Sequence, residues 1–132
     1  MQRVGRVDTA CERRLRSALH QAGLRFRVNR RPDPQIRCRA DLVFPRQRIC
    51  VFVDGCFWHG CSEHFRPPTT NRAWWVEKVQ DVQERDHRQT VGLRQQHWTV
   101  MRCWEHDVVN DLPRVVKRIA ATVRRTRLIR TH

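Results

Sequence analysis

A chain of 132 residues, 39% of them hydrophobic, has enough material for one domain with a real core and too little to suggest two. With no apolar run long enough to span a bilayer and no charged-then-apolar leader, it reads as cytoplasmic, and its six cysteines (Cys11, Cys38, Cys50, Cys56, Cys61 and Cys103) read as thiols or metal ligands rather than disulfides. The formal net charge of +14 selects a polyanionic partner, bound through phosphate contacts that weaken steeply with salt.

In chain order, residues 1–7 form a short basic lead. Asp8-Thr9 opens a helix in which Cys11, Leu15, Ala18, Leu19 and Ala22 recur at helical spacing, and Gly23 ends it. Residues 24–28 read as a strand, and 30–37, with Pro32 and Pro34, as a basic loop. The apolar runs 39–44 and 48–53, separated by Pro45-Arg-Gln, predict a hairpin. The stretch 55–71 is an irregular excursion, long enough to be either functional or stapled. A helix over 72–95 has the inner stripe Trp75, Val79, Val82 and Leu93, and 98–104 is another strand. Pro113 suits the first turn of a last helix with Leu112, Val115, Val116, Ile119, Ala120 and Val123 facing inward. The tail 124–132 is basic and expected to be mobile.

The order helix, three strands, helix, strand, helix predicts a single α/β domain over 1–132, three-layered α/β/α, with a mixed central sheet. The restriction-endonuclease-like core has this order, although fold order alone does not establish nuclease chemistry.

Three groups of residues carry chemistry. Cys56, Cys61 and His64 form C-x4-C-x2-H, three of the four N or S ligands that a tetrahedral structural zinc takes. His106, after the last strand, or Cys103, inside it, is the candidate fourth. Asp41 lies inside an apolar strand, where an acid must be paired, neutralised or bound to a cation; a divalent ion used for phosphodiester cleavage is one such partner. Asp54 ends the next strand, close enough to sit beside Asp41 across the hairpin. With no lysine near Asp54, His59 is the candidate base for activating water. Glu12 also fits a capping box with Thr9, a purely structural role. Phe57 and Trp58, in the excursion, and Trp74 and Trp75, opening the long helix, are candidate wedges between base pairs. The helical period places Trp75 in the core instead.

Thr9-Ala-Cys-Glu-Arg-Arg-Leu, Gly23-Leu-Arg-Phe-Arg, Ala40-Asp-Leu-Val-Phe, the run from Val51 to His64, Trp75-Val-Glu-Lys, Glu84-Arg-Asp86 and the stretch from Trp98 to His106 resemble, in this order, the very short patch repair endonucleases. The resemblance covers about residues 8–120, and Gly55-Cys-Phe-Trp-His59 is its most specific part. It implies a magnesium-dependent, zinc-containing enzyme that nicks the strand carrying T at a T·G mismatch in duplex DNA, the product of 5-methylcytosine deamination. Asp41 and the main-chain carbonyl of Val53 would hold Mg²⁺, His59 would be the general base, and Glu12 and Asp54 would assist. Cys56, Cys61, His64 and His106 would hold Zn²⁺, and Phe57, Trp58 and Trp75 would intercalate. A monomer is expected, with other repair proteins as further partners. Val82 stands where many members have Asn, and Asp54 where some have His. Two rival readings are a restriction-type nuclease cutting both strands and a non-catalytic zinc-stabilised DNA-binding module.

Overall fold

The computed structural model describes residues 10–56 and 67–130, with side chains through 126. Helix α1 spans Ala10–Gln21, strands β1, β2 and β3 span Arg27–Arg30, Ala40–Phe44 and Ile49–Asp54, and helix α2 spans Arg72–Gln95. Strand β4 (Thr99–Trp104) leads directly into a short helix, α3 (Glu105–Asn110), and α4 (Leu112–Arg130) closes the chain.

The four strands form one sheet in the order β1-β2-β3-β4. The first three are antiparallel neighbours and β4 runs parallel to β3, so α2 is the crossover that a parallel pair requires. Strands buried on both faces read as unbroken apolar runs, which is why 39–44 and 48–53 carry so few polar residues. One face of the sheet gives Leu42, Phe44, Ile49, Val51, Met101 and Cys103 to a core completed by Leu15 and Leu19 of α1, Val108 of α3, and Val115, Ile119 and Val123 of α4. The other face gives Val43, Cys50, Phe52 and Val100 to a smaller core with Leu93 and Trp98 under α2. The expected three layers and mixed sheet are both present.

Local chemistry fixes the joints. Gly23 takes φ 89 just past α1, and the Leu24 N–H donates to the Leu19 carbonyl, a glycine-closed helix end. The 31–38 loop is tied down by Asp33, whose carboxylate accepts from the Gln35 N–H and the Trp98 indole N–H.

Three expectations shift. The first strand starts at Arg27 rather than at residue 24: Leu24 is buried in the core and Phe26 packs beside it, but both precede the ladder. Helix α3 was not expected, since six residues cannot display a helical period. Residues 124–130 of the expected tail are helical, continuing α4 to Arg130; their basic composition says nothing against a helix, because arginine is a good helix former. Among the described residues no helix is long and apolar enough to cross a membrane.

Candidate active site

The parallel β3–β4 register builds one end of the site. Asp54 pairs with Trp104, and two residues further along each chain Cys56 Sγ lies 3.2 Å from His106 Nδ1. The other ring nitrogen of His106 is 3.4 Å from the Asp107 carboxylate, which orients the imidazole. Cys103 is placed elsewhere: it is buried in the core, its thiol faces the Phe52 carbonyl at 3.7 Å, and burial pushes that thiol up to about 12. Of the two candidates for a fourth N/S ligand, only His106 is beside Cys56.

Next to this end lies a cavity of about 280 Å³ lined by Glu12, Asp41, Asp54, Arg102 and, from α2, Val82, Asp86 and Gln89. Asp41 reaches it because the β2–β3 pairing ends at Leu42–Val51; beyond that point the Asp41 carboxylate accepts the Val53 N–H at 2.6 Å. Burial pushes the Asp41 carboxyl up to about 7; the Val53 hydrogen bond and the Arg102 guanidinium pull it down, while the charges of Glu12 and Asp54 push it further up. Three carboxylates from α1, β2 and β3 therefore share one cleft and repel one another.

Arg102 faces the α2 side of β4. Its guanidinium donates to Asp54 Oδ1 at 2.8 Å and to Thr90 Oγ1 at 3.1 Å, and its carbon lies 4.3 Å from the Phe52 ring centroid. Its remaining nitrogen, Nη2, is buried with no hydrogen-bond partner among the described residues. Sequence reasoning passed over this residue as part of an apolar strand, yet an arginine between Met101 and Cys103 needs a partner for the same reason that Asp41 does.

Of the site residues expected from sequence, Glu12, Asp41, Val53 and Asp54 are brought together. Glu12 is 8% exposed and lines the cavity, although it also sits in the first turn of α1, and Thr9 of the capping box lies outside the described residues. Trp75 is half-buried, neither core nor fully presented, and meets the exposed Trp74 edge-on with ring centroids 4.8 Å apart. The Lys78 ammonium lies 5.5 Å from the Trp74 ring. The expected inner stripe of α2 is only partly apolar: Val79 and Leu93 are buried, but Val82, Asp86 and Gln89 between them wall the cavity and Thr90 holds Arg102. Phe57, Trp58, His59, Cys61 and His64 lie outside the described residues.

The donor chemistry differs between the two ends. Cys56 with His106 is an S/N pair of the kind zinc takes, and the carboxylates around Asp41 are hard oxygen donors of the kind magnesium takes. Among the described residues no three His, Cys, Asp or Glu side chains converge as a complete metal cage.

Comparison with known proteins bears on this arrangement. A family model described as DNA mismatch endonuclease Vsr matches residues 1–64. The chain is 40% identical over 113 residues to the type II nicking enzyme V.NaeI of Lentzea aerocolonigenes, a match covering 84% of this chain and 68% of that protein. It is 36% identical over 106 residues to the type II nicking enzyme V.XorIIP of Xanthomonas oryzae pv. oryzae, covering 80% and 76%. Over 106 residues it is 38% identical to the DNA mismatch endonuclease Vsr of Escherichia coli, covering 80% and 66%.

Proposed function

Because this chain belongs to the Vsr family of DNA mismatch endonucleases, endodeoxyribonucleases related to nicking enzymes, we propose that it nicks the T-bearing strand beside a T·G mismatch, using magnesium for the chemistry and zinc for structure. The observation that carries this reading is the cleft of Glu12, Asp41 and Asp54 at the end of β3, where burial and two neighbouring acids push Asp41 up to about 7. A site strained by its own negative charge is relieved by a cation, and an acid kept inside a strand for no such purpose is costly.

Asp41 and the Val53 carbonyl are the residues proposed to hold the magnesium. When bound, that ion supplies charge stabilisation to the phosphate and a more acidic water. The protein's part is then to orient and to move protons. The Val53 N–H fixes the Asp41 carboxylate, so the carbonyl and the carboxylate of adjoining strands are presented together. His59 is proposed to take the proton from the attacking water, and Glu12 to add negative charge from α1. The proposed zinc set is Cys56, Cys61, His64 and His106; its role is to contribute folding free energy rather than chemistry. Wedging by Phe57, Trp58 and Trp75 favours a mismatch, because a poorly paired step costs less to unstack.

The test is a gel. Labelled matched and T·G duplexes are incubated with the protein and magnesium. A nick in the T strand of the mismatched duplex alone is the expected result. Double-strand cleavage of the matched duplex would establish the restriction-type reading instead, and binding without cleavage at any magnesium concentration would leave a DNA-binding module.

A further inference from the structure

Among the described residues, Arg39 and Arg85 also line the cavity, but Arg102 is the cation that a strand of the sheet places among the three acids, and its surroundings hold it more firmly than a solvent-facing charge needs. Thr90 of α2 takes its Nε–H, Asp54 of β3 takes an Nη1–H, and the Phe52 ring lies against its plane. The Arg102 carbonyl accepts from Arg118 of α4, tying the backbone at this position to the opposite layer. Among the described residues, Nη2 is nevertheless left buried without a partner. A buried guanidinium nitrogen without an acceptor is destabilising, and such departures from good packing concentrate at functional sites. An aliphatic residue on β4 would have filled the space beside Phe52 and Cys38 without leaving a donor unsatisfied.

We propose that Arg102 is a positioning residue of the cleavage centre, acting through Asp54. The guanidinium holds the Asp54 carboxylate at the end of β3 as its own counter-ion, fixed in direction and kept off the position where Asp41 and Val53 are presented. Thr90 and Phe52 hold the guanidinium in turn. The three acids are thereby given unequal tasks: Asp54 is committed to Arg102, while Asp41, bonded to the Val53 N–H, is left for the cation. This inference rests on the nuclease reading above.

The experiment compares wild type, Arg102→Ala, Arg102→Lys, Asp54→Asn and the double variant Arg102→Ala/Asp54→Asn on a T·G duplex. Three quantities are read: the duplex dissociation constant without magnesium, the single-turnover nicking rate at saturating protein with magnesium, and the thermal midpoint. Arg102→Ala is expected to slow nicking by about 10- to 100-fold, the usual cost of removing a group that orients a functional side chain, with little change in the dissociation constant. Adding methylguanidine is expected to restore part of the rate in Arg102→Ala and none in the double variant, since the small cation needs Asp54 to dock. Arg102→Lys keeps the charge but loses the fork that serves two acceptors, so it is expected to be slower than wild type yet faster than Arg102→Ala. It also supplies the comparison should Arg102→Ala fail to fold.

Nicking at the wild-type rate by folded Arg102→Ala or Arg102→Lys overturns the proposal. So does methylguanidine rescue that is as large in the double variant as in the single one. A wild-type protein that does not nick the mismatched duplex defeats the nuclease reading itself, a result distinct from both.

Discussion

The face of the sheet that receives α1, α3 and α4 is hydrocarbon from Leu19 to Val123, whereas the face beneath α2 is hydrocarbon only around Leu93, Trp98 and Val100. Further along that second face, toward the ends of β3 and β4, side chains of α2 stop filling space and begin to wall a cleft: Val82, Asp86, Gln89 and Thr90 stand opposite Arg102 and Asp54. One layer thus supplies stability, and the other trades part of its burial for a cavity in which charges meet. Acids in that cavity meet less water, which raises the free energy of their ionised forms and makes a cation welcome.

The contrast can be broken most severely at Asp41. Asp41→Ala is expected to lower the magnesium-dependent nicking rate by about a thousandfold, roughly 4 kcal/mol of transition-state stabilisation, while the protein stays folded by circular dichroism. The complementary change is on the filled face. Leu19, fully buried in α1, is expected to cost about 2–5 kcal/mol when replaced by Ala, measured by urea denaturation, with the folded fraction still nicking at the wild-type rate. If Leu19→Ala were to slow the folded enzyme as much as Asp41→Ala does, the division between the two faces would be wrong.

A smaller effect concerns pH. An acid raised from 3.8 to about 7 keeps its proton longer in the fold than in the unfolded chain. Its ionisation therefore subtracts stability as pH rises from about 4 to about 7, and the loss is complete above that. In metal-free protein the thermal midpoint is expected to fall across this window, and Asp41→Asn is expected to flatten the slope. A slope unchanged by the substitution would assign the titration to another group. The least drastic test sharpens the picture at the strand ends. His106→Ala is expected to lose about one equivalent of bound zinc by atomic absorption, because a structural site needs all four ligands, while Cys103→Ser retains it. The reverse result would exchange the two assignments.

What could be read from the sequence followed from repetition. The spacing of Leu15 and Leu19, the paired runs about Pro45, and Val115 to Val123 each repeat often enough to announce a helix or strand and its buried side. Asp41 was legible for the opposite reason, a charge interrupting an apolar run. The same logic applied to Arg102 would have found it, but it stands alone between Met101 and Cys103 and no motif draws attention to it. The middle of α2 was misjudged because a helix that is half core and half cleft wall has no single period: Asp86, Gln89 and Thr90 occupy inward positions as polar residues. Cys56 and His106 could be suspected together from ligand chemistry, yet their contact depends on the alignment of β3 with β4, and that is a property of the folded sheet.

That alignment guards the cleft against its own misassembly. Sliding β4 by one residue along β3 would swap the sides on which Arg102 and Cys103 emerge, driving a guanidinium into the oil beneath α4 and leaving Asp54 facing a thiol. His106 would be carried out of step with Cys56 in the same movement. The chain therefore has no inexpensive near-miss: a shifted sheet forfeits both its inner layer and its charged end together, so a molecule that has folded with this register has already set those charges in place.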